Sequence, residues 1–324
     1  MKRVCRYLIL MMCAILLTGC ATPQASAEIY AMDTFMELSV VGNDAETALD
    51  QTKALIRQID EKYSISSVAG EMKQLLDTGV LNSPSEGLLE MLECAKLLYE
   101  RTGGAYDVTA YALSEAWGFY SNRQAVPSDE QIDMALTLVG MDRIEFDSTQ
   151  VKLNGVKGID LGSIAKGYTG KRIAQLLSGL DVDCAIMTLG GNVVTVGSKA
   201  DGEKFKIGIS DPADIDNICG YVTVGQTNIV TSGKYNRAFT DGQERYHHII
   251  DARTGVPCEN GVAQVTVICD DGMWADALST ALFLLGEQGA LDYYEQYGGF
   301  EAVIVLDDGS ITLTEGAKAI FTAV

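Results

Sequence analysis

Residues 158–177 read GIDLGSIAKGYTGKRIAQLL, a stretch in which glycines and cations stand directly in front of an amphipathic segment. Apolar residues recur on one helix face, at Ile173, Leu176, Leu177 and Leu180. That spacing predicts a loop that leads into a helix. Neither G-x-x-x-x-G-K-[ST] nor G-x-G-x-x-G is present, so two interpretations stay open. The stretch is either a cradle for a phosphate group or only a well-capped helix start.

The rest of the chain divides into a helix-rich first part and a strand-rich second part. Helical periodicity and a strong apolar run predict helices at 45–59, 85–99, 129–137 and 272–285. Short β-rich runs predict strands near 143–153 and at 185–189, 193–196, 205–209, 221–224, 228–231, 247–250, 264–268, 302–306 and 310–313. Helices and strands in such unequal blocks predict an α+β (mixed α/β) fold. We expect a single large domain with mixed, largely antiparallel sheets flanked by helices.

Charge narrows the choice of partners. The chain has 324 residues and a formal net charge of −20, from 24 Lys+Arg against 44 Asp+Glu. This acidity disfavours nucleic acid and anionic membrane surfaces as partners. A phosphate-bearing ligand would therefore need a local cation or a metal ion.

The N-terminus predicts an export signal. Lys2, Arg3 and Arg6 form a basic region before an apolar stretch at 7–17, which is too short to span a bilayer. LTGC at 17–20 resembles a bacterial lipoprotein box, with an ordinary signal peptide as the alternative.

From these features we expect a lipoprotein signal peptide at 1–19, lipidation of Cys20, a flexible lipid-anchored tether at 20–27 and a folded domain at 28–324. The predicted location is extracytoplasmic, at the bacterial cell membrane, on the periplasmic or outer face. The mature domain keeps an odd number of cysteines without C-x-x-C spacing, which is neither a disulfide framework nor a zinc site. Buried free thiols are favoured, with one disulfide as the alternative.

The stretch GMWADALSTA at 272–281 is the richest candidate for a metal site. On a helix, Asp276, Ser279 and Thr280 share one face. One carboxylate and two hydroxyls suit a Mg²⁺ ion that keeps waters and substrate oxygens. The alternative is an Asp favoured by the helix dipole, with Ser and Thr bonding back to their own helix.

The stretch YHHIIDARTG at 246–255 holds the two histidines of the chain. On a strand they point to opposite faces, so at most one faces a given pocket. A histidine can serve as a general base near neutral pH. The alternative is a structural imidazole followed by an Asp-x-x-x-Gly turn.

Glycine clusters at 102–107, 189–192 and 231–237 are either turns or places where the backbone approaches a ligand.

Taken together, these segments resemble the ApbE family, the bacterial FAD:protein FMN transferases, over about residues 30–313. The matching pieces, in family order, are AMDTFM at 31–36, KYS at 62–64, GAYDVT at 104–109, DLGSIAKG at 160–167, GGN at 190–192, HIID at 248–251 with TG at 254–255, and DALST at 276–280. Two positions depart from the pattern. Ala252 stands where the family often has proline, and Lys234 stands where it often has an acidic residue.

The resemblance implies that FMN is moved from the substrate FAD onto a Ser or Thr hydroxyl of an acceptor protein, with Mg²⁺ as cofactor and AMP released. By matching position it implies FAD contacts at Met32, Tyr63, Ala105, Tyr106, Asp107, Asp160, Lys166, Gly190, Gly191, Asn192 and Ile250. It implies Mg²⁺ ligands at Ser163, Asp276, Ser279 and Thr280. His248 is the hypothesised general base, with Asp251 as the other candidate. Lys166 is expected to supply charge at the diphosphate, whereas Lys171 and Arg172 are expected to be solvated.

The acceptor is expected to be a separate protein. The family's acceptor signal resembles [Ser/Thr]-Gly-Ala-[Ser/Thr], which this chain lacks, since it reads TGG at 102–104 and SGK at 232–234. A membrane-linked redox subunit is the expected partner, and the enzyme would meet the membrane only through its lipid anchor. The alternatives are an FAD pyrophosphatase that releases FMN and AMP, a non-catalytic flavin-binding lipoprotein, and a plain solute-binding lipoprotein.

Overall fold

A computed structural model describes residues 22–121, 124–235 and 237–324. Its helices are α1 (Ala45–Tyr63), α2 (Glu71–Thr78), α3 (Glu86–Arg101), α4 (Tyr111–Ala116), α5 (Asp129–Leu136), α6 (Ala165–Leu177), α7 (Gly272–Tyr297) and α8 (Ala317–Ile320). Its strands are β1 (Gln24–Ala31), β2 (Thr34–Val41), β3 (Val80–Asn82), β4 (Ile144–Phe146), β5 (Gln150–Leu153), β6 (Cys184–Leu189), β7 (Asn192–Gly197), β8 (Phe205–Asp211), β9 (Asp214–Val224), β10 (Thr227–Gly233), β11 (Ala238–Asp241), β12 (Glu244–His247), β13 (Ile250–Asp251), β14 (Val256–Pro257), β15 (Val262–Cys269), β16 (Glu301–Leu306), β17 (Ile311–Leu313) and β18 (Phe321–Ala323). The predicted signal peptide and Cys20 lie outside the described residues.

An eight-stranded sheet forms the centre of the domain, in the order β1-β2-β6-β7-β10-β15-β16-β17. Every neighbouring pair in it is antiparallel. Hairpins join three of the seven neighbouring pairs, and β15, an interior strand, has all of its side chains buried. The α+β class with antiparallel sheets is therefore confirmed.

The two faces of this sheet are covered differently. Helices α1, α6 and α7 pack on one face, where Ile56 and Ile173 meet the side chains of β2 and β6. On the other face, β8 and β9 form a small sheet with β18 and bury Ile229 and Ile268 of the central strands. Because side chains alternate along a strand, Val230 and Val267 face the helices instead.

The predicted elements recur with shifted ends. The last long helix extends from Gly272 to Tyr297, with a break in helical geometry at Gly286, whose φ of 77° suits glycine. The run at 247–250 is not one strand, because β12 ends at His247 and β13 begins at Ile250. The tether prediction is corrected in part: residues 24–27 belong to β1, where they pair with β2.

The five cysteines in the described part of the chain are free thiols. Three of them are buried: Cys94, Cys258 and Cys269. Burial raises the pKa of the Cys94 thiol to about 12 and that of Cys258 to about 11. These thiols are therefore protonated and unreactive at neutral pH. None of the helices in the described ranges combines the length and apolar character that a bilayer crossing needs.

Candidate active site

One cavity of about 440 Å³ gathers segments from the whole length of the chain. Its walls come from the β1–β2 turn, the end of α1, the 106–114 and 160–166 loops, the β6–β7 turn, the end of β10, the 248–250 segment and α7. Of the site residues predicted from the sequence, these line it: Met32, Tyr63, Tyr106, Asp107, Asp160, Ser163, Lys166, Gly190, Gly191, Asn192, His248, Ile250, Asp276 and Thr280. Ala105, Asp251 and Ser279 are not in the lining.

The loop before α6 is held by short polar contacts. The Asp160 carboxylate accepts a hydrogen bond from the Gly162 amide at 2.8 Å and a second one from the Tyr120 hydroxyl. Lys166 Nζ donates to the Gly162 carbonyl at 2.9 Å, and Ser163 Oγ lies 3.0 Å from the Tyr106 hydroxyl. Burial is the main cause that raises the pKa of Tyr120 and of Tyr106 well above its usual value. Both phenols are therefore neutral at neutral pH.

Asp276 connects α7 to the start of α6. Its Oδ2 accepts a hydrogen bond from the Gly167 amide at 2.7 Å, and its side chain is buried. No side chain at the N-cap position Ile164 caps α6. The carboxylate therefore caps α6 from another helix and lies where the dipole of α6 favours a negative charge. Since Asp276 also lines the cavity, this negative charge borders the ligand space.

The close approach of these helices depends on Gly167. A Cβ at this position would lie 2.1 Å from the Gly272 carbonyl oxygen and 2.4 Å from Asp276 Cβ. We expect Gly167→Ala to lower the free energy of unfolding by about 1–3 kcal/mol, because backbone must move to admit the methyl group. Gly179→Ala is the control, since its nearest neighbour would be 3.6 Å away. Urea unfolding of both variants tests this, and equal stability of the two would contradict it.

Three hydroxyls form a cluster beside Asp276. Ser232 Oγ lies 2.7 Å from Ser279 Oγ and 3.0 Å from Thr280 Oγ1. Ser279 Oγ also donates to the Asp276 carbonyl at 2.8 Å, which is the back-bonding alternative of the sequence analysis. Thr280 and Ser232 line the cavity, whereas Ser279 is buried behind them. Ser232 had no predicted role of its own, because the cluster at 231–237 was interpreted either as a turn or as a place where the backbone approaches a ligand.

These donors suit a Mg²⁺ site. Asp276, Thr280 and Ser163 all line the cavity and offer hard oxygen atoms. No hydrogen bond from a described residue reaches Asp276 Oδ1, which leaves that oxygen able to bind a cation. Within the described ranges, no group of three or more His, Cys, Asp or Glu side chains is placed so that it could hold a metal ion. The set is thus a sparse one, in which substrate oxygens and waters would complete the coordination.

The two histidines have different surroundings. His247 is buried, its Nε2 lies 3.1 Å from the Cys258 carbonyl, and its Nδ1 accepts from the Ile249 amide. Burial lowers the pKa of His247, so this ring is neutral and structural at neutral pH. His248 lines the cavity, with its ring edge-on to Phe119 at 6.4 Å between centroids.

Asp251 is placed differently from the sequence expectation. Its carboxylate is bound by Arg253, whose Nη2 lies 2.6 Å from Oδ2. The turn closes although Ala252 replaces the usual proline, because the Asp251 carbonyl accepts from the Gly255 amide at 2.8 Å. A carboxylate that is paired and outside the lining is poorly placed to take a proton from a substrate, so His248 is the better candidate base.

Asn192 and Asp107 both line the cavity, but they differ in whether the side chain has hydrogen-bond partners within the fold. Asn192 is 2% exposed, and its Nδ2 has no hydrogen-bond partner among the described residues. A buried donor without a partner is costly, which indicates that a ligand acceptor satisfies it. Asp107 instead uses its carboxylate within the fold, accepting from the amides of Thr109 and Met141. Burial is the largest influence on the Asp107 carboxyl and raises its pKa.

Cations of the site and its surroundings were only partly predicted. Arg237 lines the cavity, as Lys166 does, and its Nη2 lies 4.0 Å from Asp33 Oδ2. Lys171 was expected on the solvated surface, but its Nζ joins Glu90 at 2.5 Å and the Asp271 cap of α7 at 2.7 Å. Lys234 pairs with Glu259 and Asp307 and is not part of the lining. This departure from the family pattern therefore lies outside the cavity lining.

Comparisons of the sequence with a family model and with known proteins find the same family. The model of the ApbE family matches residues 32–304. A protein of Treponema pallidum named FAD:protein FMN transferase is 31% identical over 309 residues, covering 89% of this chain and 83% of the relative. The protein of that name in Haemophilus influenzae is 29% identical, covering 84% and 83%.

Solved structures show the same similarity. The ApbE protein of Thermotoga maritima superposes with a TM-score of 0.84 at 32% identity, covering 92% of this chain and 99% of the other. The flavin transferase ApbE of Vibrio cholerae gives a TM-score of 0.81 at 26% identity, covering 93% and 100%.

Proposed function

The chain belongs to the ApbE family, and from that premise we propose that it is an FAD:protein FMN transferase. In this reaction the hydroxyl oxygen of a Ser or Thr in an acceptor protein attacks the phosphorus on the riboflavin side of the FAD diphosphate. The bond from that phosphorus to the AMP oxygen breaks, and AMP leaves with the electron pair. The observation that carries the proposal is the cavity itself, which unites residues 32 to 284 in one lining.

The diphosphate needs positive charge, and the lining provides it in a chain of net charge −20. Lys166 and Arg237 both border the cavity, and Lys166 lies in the first turn of α6. Cations and helix N-termini stabilise the charge that grows on phosphate oxygens during transfer. The unpartnered Asn192 amide supplies a further donor toward the flavin nucleotide.

We assign the proposed metal site to Asp276, Thr280 and Ser163, with Ser279 supporting Thr280 through Ser232. When bound there, Mg²⁺ would supply positive charge against the phosphate oxygens of the substrate. Asp276 has a second task in the fold, because its Oδ2 already holds the Gly167 amide. His248 is assigned as the base that accepts the proton of the acceptor hydroxyl, since it borders the cavity while Asp251 does not.

The proposal includes the place where the reaction happens. A lipid anchor at Cys20 would hold the domain on the outer side of the membrane, next to a membrane-linked redox subunit as acceptor. The anchor would be four residues from β1, which begins at Gln24. The catalytic domain would thus stay close to the membrane without inserting into it.

The experiment is a transfer assay with the mature domain, FAD, Mg²⁺ and a protein that carries the sequence Thr-Gly-Ala-Thr. We expect flavin fluorescence on the acceptor band of a denaturing gel, together with one AMP per attached FMN. Free FMN without labelled acceptor would instead indicate an FAD pyrophosphatase. Unchanged FAD that stays bound would indicate a flavin-binding lipoprotein and would contradict the transferase proposal.

A further inference from the structure

The hairpin β1–β2 carries an exposed surface next to the cavity. Its two-residue turn, Met32 and Asp33, lines the cavity and has φ values of 51° and 57°. One rung away from the turn, Tyr30 pairs with Phe35 across the strands. Their rings are 63% and 75% exposed and meet edge to face at 5.1 Å. Two large aromatic rings in water beside a catalytic cavity are typical of a protein-binding site.

The next rung on the same face is acidic. Glu28 stands directly opposite Glu37, and both side chains are exposed. Like charges in direct cross-strand register destabilise a sheet. Within the described ranges neither carboxylate has an ion-pair partner. The pair therefore carries a cost in the free protein that a basic group from outside would remove.

The surface continues into a depression. About 600 Å³ of open space lies over this face, lined by Ser26, Ala27, Glu28, Glu37, Leu38, Ser39, Ile186 and Thr188. Ser39 pairs with Ile186 and Glu37 with Thr188, so three neighbouring strands form its floor. We name this face, with the Tyr30–Phe35 and Glu28–Glu37 rungs, the hairpin surface.

We propose that the hairpin surface is the docking site for the acceptor protein, which places an apolar side chain on the aromatic rung and a Lys or Arg on the acidic rung. This proposal rests on the proposed transferase function, because that reaction needs a protein at the mouth of the cavity. The turn that borders the cavity and the two rungs belong to one hairpin, so an acceptor bound there lies next to the reaction site.

The charge of the acidic rung and its distance from the turn define where the acceptor should carry a basic residue. Strand residues rise about 3.3 Å each, so the acidic rung lies about 13 Å from the turn. For a hydroxyl that reacts beside the turn, an extended acceptor segment would thus carry its basic residue about four residues away. The two glutamates also disfavour an anionic membrane as the occupant of this face.

The test compares two acceptor peptides that carry Thr-Gly-Ala-Thr, with Lys or Glu four residues from the reacting threonine. For the wild type, we expect a KM about 10-fold lower for the lysine peptide. The double variant Glu28→Lys/Glu37→Lys should reverse this preference, and Tyr30→Ser/Phe35→Ser should raise KM about 10-fold for both peptides. The kcat at saturating acceptor and the Kd for FAD should stay unchanged.

Matched controls are Glu100→Lys/Glu145→Lys, in a separate depression, and Met134→Ser, which is 71% exposed. Both should behave like the wild type. Equal KM values for the two peptides, unaffected by the hairpin substitutions, would overturn the docking site while transfer itself persisted. Loss of dimerisation, or of binding to anionic vesicles, in the Tyr30→Ser/Phe35→Ser variant with unchanged KM would assign the surface to another occupant. No transfer by the wild type to either peptide, with FAD still bound, would contradict the proposed function and the surface with it.

Discussion

Replacing Asp276 with asparagine is expected to slow flavin transfer by about 100-fold or more, because a bound metal ion stabilises the transition state by several kcal/mol. Asparagine keeps an oxygen that can accept the hydrogen bond of the Gly167 amide, so the cap of α6 survives. The negative charge beside the cavity is lost. Steady-state transfer at several Mg²⁺ concentrations measures this effect, and a partial recovery at high Mg²⁺ is expected.

Asp276→Ala separates the two tasks of this residue. Alanine removes the charge and the cap together, so we expect the same loss of transfer and an additional loss of about 1 kcal/mol in the free energy of unfolding. Asp271→Asn is a suitable control, since Asp271 caps α7 but does not line the cavity. Normal transfer by the Asp276→Asn variant, at any Mg²⁺ concentration, would contradict the metal site.

The sequence predicted the elements of the fold well because their signals are local. The apolar spacing after residue 165 depends only on helix geometry, and α6 ends at Leu177, before the last apolar position of the pattern, Leu180. The strand of residues 262–269 and the closing hairpin are equally local patterns. The predicted end of the last helix, at residue 285, coincides with the break at Gly286, whereas the helical stretch from there to Tyr297 was not predicted.

The candidate site was predicted only in part, because its contacts join distant positions. Asp276 caps α6 across 109 residues, and Tyr120 meets Asp160 across 40 residues. Neither pairing has a spacing that periodicity could detect. Single motifs also could not tell which polar group faces the cavity: Thr280 does, while Ser279 and Asp251 serve the surrounding structure. The loop at 160–164 borders the cavity and α6 is capped by Asp276 of the same cavity, so the capped helix start is confirmed while the phosphate cradle stays a prediction.

His248→Ala is expected to lower kcat of transfer by about 10²–10⁴-fold, the range typical of a lost general base. FAD binding should be nearly unchanged, because the flavin nucleotide keeps its contacts along the rest of the cavity. Added imidazole should restore part of the rate of the variant.

His247→Gln is the matched control for this prediction, because the adjacent ring is buried and bonded to the Cys258 carbonyl. It should alter stability but keep the rate of transfer. Because the pKa of His247 is lowered in the folded state, the unfolded state binds more protons. The contribution of this ring therefore lowers the free energy of unfolding as the pH falls below about 6.5. We therefore expect opposite outcomes for the two variants. His248→Ala should lose transfer rate without losing stability, and His247→Gln should lose stability without losing transfer rate. Full transfer by His248→Ala would exclude it as the base and leave the proton to another acceptor in the cavity.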